Sequence, residues 1–208
     1  MSLFQRFVTE ADLVCPSWLN LTTFEAIVEA TKEAFSILEE FLKKPQLERV
    51  KTAITFDIDD TVCYSETKEP ILPIQALYRA IKEIARPHMA IFFISSRPWC
   101  YRNRAKEQLR VNGYDTWNKT YFVDHIRPTE KCRLSVTGLG QDDPKFTPFD
   151  WCTPTDTPDD DPTGKGRRKA DVRRLLEEKG YTILMNIGDE PTDHMYGHYQ
   201  HSIRLPSL

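Results

Sequence analysis

The chain has 208 residues, 28% of them charged, and a formal net charge of −3. That length suits one well-buried domain with insertions and is short for two independent ones, and the near-balanced charge calls for neither a nucleic-acid nor a membrane partner. No apolar run approaches the ~18 residues a membrane span needs, and residues 1–7 lack the basic-then-apolar pattern of a secretion signal, so the sequence reads as a soluble cytoplasmic protein.

Residues 1–21 show no sustained period and read as an arm, with Trp18, Leu19 and Leu21 as packing anchors. Thr22-x-x-Glu25 has capping-box spacing. Phe24, Ile27, Val28, Phe35, Leu38, Phe41 and Leu42 then recur near a 3.6 period as far as Pro45, which predicts an amphipathic helix. Its aromatic stripe reads as core, with a roof over the site as the alternative. Ala53 to Ile58 is an apolar run rich in β-branched and aromatic residues, as in a strand covered on both faces. Asp57, Asp59 and Asp60 fall at its end, followed by Thr61. In open α/β sheets the carboxyl ends of the strands hold the ligand crevice, and carboxylates clustered there resist ionisation unless they share a cation. For hard oxygen donors that cation is Mg²⁺, and the competing reading is an acidic loop that caps the next helix. Pro73 opens a helix carrying Ala76, Leu77, Ala80, Ile81 and Ile84.

Met89 to Ile94 predicts a second buried strand, and Ser95, Ser96 and Arg97 follow at the same edge, where hydroxyls and a guanidinium suit an oxyanion. Arg102, Arg104 and Arg110 read as a solvated helix face, Gly113 as a left-handed cap, and Thr120 to Val123 as a third strand. Residues 128–164 form a Pro- and Asp-rich insertion whose Phe146, Phe149 and Trp151 imply a packed middle, a candidate lid or partner surface. Its negative charge disfavours duplex nucleic acid. The five cysteines lack a Cys-x-x-Cys pair, so reduced thiols are expected, with a Cys132–Cys152 bridge as the alternative. Lys169 opens a helix through Val172, Leu175 and Leu176 that ends at Gly180, which sets an ammonium near a helix N-terminus. Thr182 to Ile187 is the last strong strand, and Gly188-Asp189-x-x-x-Asp193 turns out of it with two carboxylates four apart. His194, His198 and His201 sit in a loop without a helical face and read as surface or core histidines rather than zinc ligands. Ser202 to Pro206 reads as a closing strand. The pattern predicts one α/β domain over residues 1–208, a Rossmann-like three-layer fold with a mainly parallel central sheet, and residues 1–45 as a helical arm and candidate cap contribution.

Asp57-x-Asp59-x-Thr61, Ser95 after an apolar strand, Lys169, and Gly188-Asp189-x-x-x-Asp193 together resemble the haloacid dehalogenase superfamily. Residues 56–61, 92–98, 112–117 and 186–189 look most like its class B/C acid phosphatases and the plant acid phosphatase-like proteins, from which this chain departs by its missing secretion signal and its acidic insertion. The resemblance implies that Asp57 is a nucleophile forming an aspartyl-phosphate and that Asp59 is the acid and later the base. It implies Mg²⁺ held by Asp57, the Asp59 carbonyl and Asp189, with Asp193 as a further ligand or a supporting partner. Ser95, Ser96, Arg97 and Lys169 are then expected around the phosphoryl group, Thr61 as a brace for the nucleophile turn, and Asp60 facing away. The expected activity is Mg²⁺-dependent hydrolysis of a small phosphomonoester such as a nucleotide or other metabolite. Action on nucleic-acid ends is the enzymatic alternative, a weakly active storage or scaffold protein the non-enzymatic one, and a homo-oligomer is left open.

Overall fold

Five strands lie in one sheet: β1 (Lys51–Phe56), β2 (Met89–Pro98), β3 (Lys119–Asp124), β4 (Tyr181–Gly188) and β5 (His201–Arg204). Every neighbouring pair is parallel and the order is β3-β2-β1-β4-β5, so the chain has an α/β, Rossmann-like architecture. The computed structural model describes residues 1–44, 51–85, 89–98, 101–124 and 164–208. All of the predicted insertion and candidate lid except Gly164, and both cysteines of the alternative bridge, therefore lie outside the described residues. None of the described helices is long and apolar enough to cross a membrane.

The helices are α1 (Leu3–Phe7), α2 (Leu21–Leu42), α3 (Leu72–Ala80), α4 (Arg102–Val111), α5 (Lys165–Glu178) and α6 (Pro191–His194). The arm is more ordered than its lack of period implied. Ser2 and Gln5 cap α1 reciprocally, and a 3₁₀ turn follows at Ala11–Leu13, where the buried Asp12 pairs with Arg79 of α3. The predicted start of α2 moves two residues toward the N-terminus. Asn20, not Thr22, caps it, because an extended backbone there aims the short amide at the Thr22 and Thr23 N–H groups. The α3 region narrows to nine α-helical residues and passes into a π turn at Ile81–Ala85.

Parallel pairing gives the two faces different partners. Ile54, Phe56, Ile91 and Phe93 pack with Ile27, Phe35 and Leu38 of α2 and Ile74 and Leu77 of α3. Ala53, Ala90, Phe92, Ile94 and Ile183 pack with Val172 and Leu176 of α5. α2 is thus a core helix on one face, in line with the reading of its stripe as core. The register of β4 against β1 shifts between Ala53 and Ile54, so Ile183 faces Ala53 while Met185 faces Ile54. A slip of one residue reverses the faces of everything beyond it. Here it pairs Asn186 with Thr55, whose hydroxyl donates to the Asn186 Oδ1 at 2.7 Å.

From β1 the chain runs outward through β2 to β3, then returns to lay β4 on the other side of β1. The sheet therefore changes direction between β1 and β4, and the strand ends at such a switch point form an open crevice. Asp57 follows β1 and Asp189 follows β4.

Candidate active site

Asp57 continues the strand geometry by one residue, its N–H donating to the Ile187 carbonyl at 2.9 Å. It belongs to the series Ala53, Thr55, Asp57, which faces α5. From that helix Lys169, whose side chain is 3% exposed, reaches back and donates to Asp57 Oδ1 at 2.9 Å. The same ammonium donates to Asp193 Oδ1. Lys169 does not open the helix as the sequence predicted. α5 begins four residues earlier, after Gly164 in a left-handed cap (φ 65°), so the ammonium acts through buried ion pairs on the second turn and not through a helix N-terminus.

Asp57, Asp189 and Asp193 are all buried and each offers an oxygen within 4.8 Å of the others. Asp189 Oδ1 accepts from Thr61 Oγ1 at 2.9 Å. Thr61, which the sequence reading had brace the nucleophile turn, ties the first carboxylate loop to the last. Asp193 closes a reciprocal cap with Glu190, whose N–H donates to Asp193 Oδ2 at 3.0 Å. Gly188 lets this happen: a Cβ there would lie 2.5 Å from the Asp193 Cβ and Cγ.

The electrostatics follow from three carboxylates facing one ammonium. Burial, followed by the charges of Asp193 and Asp189, pushes the Asp57 carboxyl well above the usual range against the pull of Lys169. Burial and then the Asp193 charge push Asp189 up to about 6. Burial works against the Lys169 cation, but Asp57 and Asp193 outweigh it and the ammonium holds its proton more tightly than usual. A divalent ion fits this donor set. The oxygens are hard, the negative charge is in excess, and the 4.8 Å span compares with oxygen separations of about 3 to 4.2 Å around a Mg²⁺ with ligands near 2.1 Å.

Asp59 stands apart from the buried trio. Arg97 grips it with two hydrogen bonds, Nε to Oδ2 at 2.7 Å and Nη2 to Oδ1 at 2.6 Å. The remaining arm of the guanidinium, Nη1, donates to Gln108 Oε1 of α4 at 2.9 Å, and Gln108 Nε2 reaches the Cys63 sulfur. Burial pushes that thiol up to about 12, so it is a neutral packing group. The sequence reading placed Arg97 on the phosphoryl group, whereas here its partner is Asp59 and its support is Gln108. Asp60 turns away as expected, at φ 52°, its carboxylate accepting from the Ser65 N–H at 2.7 Å.

Ser95 is buried at the end of β2, but its hydroxyl accepts from the Arg97 N–H at 3.1 Å and bonds to neither Asp57 nor Lys169. The Ser96 hydroxyl is buried without a hydrogen-bond partner among the described residues. None of the three histidines joins the carboxylate cluster. His194 contacts the Gly188 carbonyl and Ser202, His198 contacts Glu177, and His201 starts β5 exposed.

Two site residues carried no signal in the sequence pattern. Asn186 reads as a polar interruption in a strand, and Arg173 as one more cation on a charged helix. Both donate to the Asp193 carbonyl, at 2.9 Å each. The i, i+4 spacing of Arg173 from Lys169 is the clue that could have marked it. Compared with protein-family models and with curated proteins, the chain matches none.

Proposed function

We propose that this chain is a divalent-cation-dependent phosphomonoester hydrolase of the haloacid dehalogenase type, acting through an aspartyl-phosphate on a small phosphorylated substrate. The observation that carries the reading is the contact of a buried lysine with two carboxylates, Asp57 and Asp193, at the switch point where Asp189 also arrives. A phosphoryl group resists nucleophiles while its oxygens stay negative, and a site that attacks it needs a carboxylate beside fixed positive charge.

Asp57, Asp189 and Asp193 would hold the cation, with the Asp59 carbonyl as a further donor. When bound, that ion neutralises phosphoryl oxygens, a role matched to Mg²⁺. A carboxylate oxygen of Asp57 attacks phosphorus and the ester oxygen departs, taking a proton from Asp59. Water then attacks the phosphorus of the aspartyl-phosphate, giving its proton to Asp59, and phosphate leaves with Asp57 restored. Lys169 and the Ser96 hydroxyl stabilise the phosphoryl oxygens in both steps. Arg97 occupies both Asp59 oxygens, so before the first step it must release one of them and Asp59 must take up a proton from solvent; the proton taken from water in the second step then leaves Asp59 protonated for the next cycle.

Phosphate release tests the reading across aryl phosphate, mononucleotides, sugar phosphates and 3′-phosphate oligonucleotides, each with Mg²⁺ and with EDTA. Mg²⁺-dependent turnover of small esters with a shallow salt dependence is expected. A steep loss with ionic strength on oligonucleotides alone would shift the substrate to nucleic-acid ends. No turnover of any ester would remove the phosphatase reading.

A further inference from the structure

Arg173 is among the most deeply buried side chains, 1% exposed, yet no carboxylate among the described residues forms an ion pair with it. Its three nitrogens go to backbone carbonyls of one loop: Nη1 to Asp193 at 2.9 Å, Nη2 to Met195 at 2.6 Å and Nε to Gly197 at 2.8 Å. Its guanidinium also lies 5.4 Å from the centre of the Tyr199 ring. Burial lowers its proton affinity only to about 10, so the group stays a cation at neutral pH. A buried guanidinium whose hydrogen bonds all go to carbonyl dipoles gives up the stronger stabilisation of a directly paired carboxylate. Its geometry is that of a clamp. One turn earlier on the same helix, Lys169 holds the Asp193 carboxylate, and Asn186 donates to the same carbonyl from β4.

We infer that Arg173 is a positioning residue for the cation site: by holding the loop from Asp193 to Gly197 through its carbonyls, it fixes the Asp193 carboxylate at metal-binding distance from Asp57 and Asp189. The loop needs such a device. Tyr196, Gly197 and His198 all have positive φ, which is costly for Tyr196 and His198, and this run joins the end of α6 to the start of β5. Lys169 and the Glu190 N–H hold the carboxylate of Asp193 and Asn186 shares its carbonyl, but only Arg173 ties that carbonyl to those of Met195 and Gly197 and so fixes the loop that carries the residue onward. The inference rests on the proposed cation site and concerns what holds that site in shape.

The test measures Mn²⁺ affinity by calorimetry on the full chain, without substrate, for wild type, Arg173→Met, Arg173→Lys and Arg79→Met. Folding of each is checked by circular dichroism. Loss of an outer partner of a metal ligand weakens binding by about 10- to 100-fold, and that is expected for Arg173→Met. Arg173→Lys keeps the charge but serves one carbonyl in place of three, and its Kd should fall between. Arg79→Met, which cuts a tie to the arm, should leave it unchanged. A folded Arg173→Met with wild-type affinity overturns the inference, and should that variant not fold, wild-type affinity in Arg173→Lys does so. Absence of Mn²⁺ binding in the wild type overturns the cation site itself, and this inference with it, so the two failures read differently.

Discussion

Replacing Asp57 by asparagine is expected to stabilise the metal-free protein while ending hydrolysis. The Asp57 oxygen lies no more than 4.8 Å from those of Asp189 and Asp193, which at an effective dielectric of about 20 gives at least about 3.5 kcal/mol of repulsion per pair. The contact with Lys169 at 2.9 Å returns about 6 kcal/mol on the same scale. Removing a carboxylate from water costs several kcal/mol more, so the charge is a net burden without a cation. Asparagine keeps an oxygen for the Lys169 hydrogen bond and loses the charge. A gain of about 1–3 kcal/mol in EDTA follows, or about 2–4 °C of Tm per kcal/mol for a chain this long. In Mg²⁺ the order should reverse, because a ligand at one hundred times its Kd adds about 2.7 kcal/mol to the protein that binds it. Thermal melts in EDTA and in saturating Mg²⁺, beside phosphate release from an aryl phosphate, measure both. An asparagine variant less stable than wild type in EDTA would refute the crowding argument, and one that still hydrolyses ester would remove Asp57 as nucleophile.

Gly188→Ala forces a Cβ to 2.5 Å from Asp193, so the carboxylate must shift by about 1 Å; a fall in kcat/KM on the order of a hundredfold and weaker Mg²⁺ activation are expected, and a normal Mg²⁺ titration would refute the close approach. Arg97→Lys keeps a cation but loses the two-pronged grip on Asp59, and kcat should drop about tenfold or more with little change in Tm; an unchanged kcat would show that the grip does not orient the acid. Asp12 gives a pH test remote from the site. Burial opposes its charge, but Thr9 and Arg79 outweigh it and hold its carboxyl below the ordinary 3.8. With the folded value the lower one, its contribution of about 1 kcal/mol is complete above pH 4 and lost as pH falls through the folded value. The Tm gap between wild type and Asp12→Asn should therefore be constant from pH 5 to 8 and close as pH falls below 3.8 and through the lower folded value. A gap that widens on acidification would contradict the Asp12–Arg79 pairing.

Much of the fold was legible in the residues because burial leaves a pattern. The run from Ala53 to Phe56, flanked by apolar strands of the same kind, reads as a sheet covered on both sides, and it is one. Asp57 and Asp189 were legible only in combination, since carboxylates at one strand end also read as an acidic loop that caps the next helix, and a second such end at Gly188-Asp189-x-x-x-Asp193 is what set them apart. Asp60 was expected to face away by alternation with Asp59 along a continued pleat, but β1 ends at Phe56 and a turn at φ 52° aims its carboxylate at the Ser65 N–H instead.

Partnership across the chain was not legible. Thr61 and Asp189 are far apart in sequence, and so are Arg97 and Asp59; each pair meets because β1 lies between β2 and β4, an order that no segment carries within itself. Arg173 shows the limit most plainly. As one of several cations on α5 it has the composition of a solvated face, and only the packing of that helix against β4 and the loop after it turns the side chain inward. The sequence by itself determined the strands and the long helices and that carboxylates gather at the strands' carboxyl edge, because hydrophobic period and strand-end chemistry are local properties, while the short helices Leu3–Phe7 and Pro191–His194 carry too few residues to show a period. The tertiary structure alone decided which carboxylates share the lysine and which guanidinium holds which loop. Those contacts depend on a strand order and a one-residue register shift in β4 that place Asn186, Lys169 and Arg173 around one aspartate.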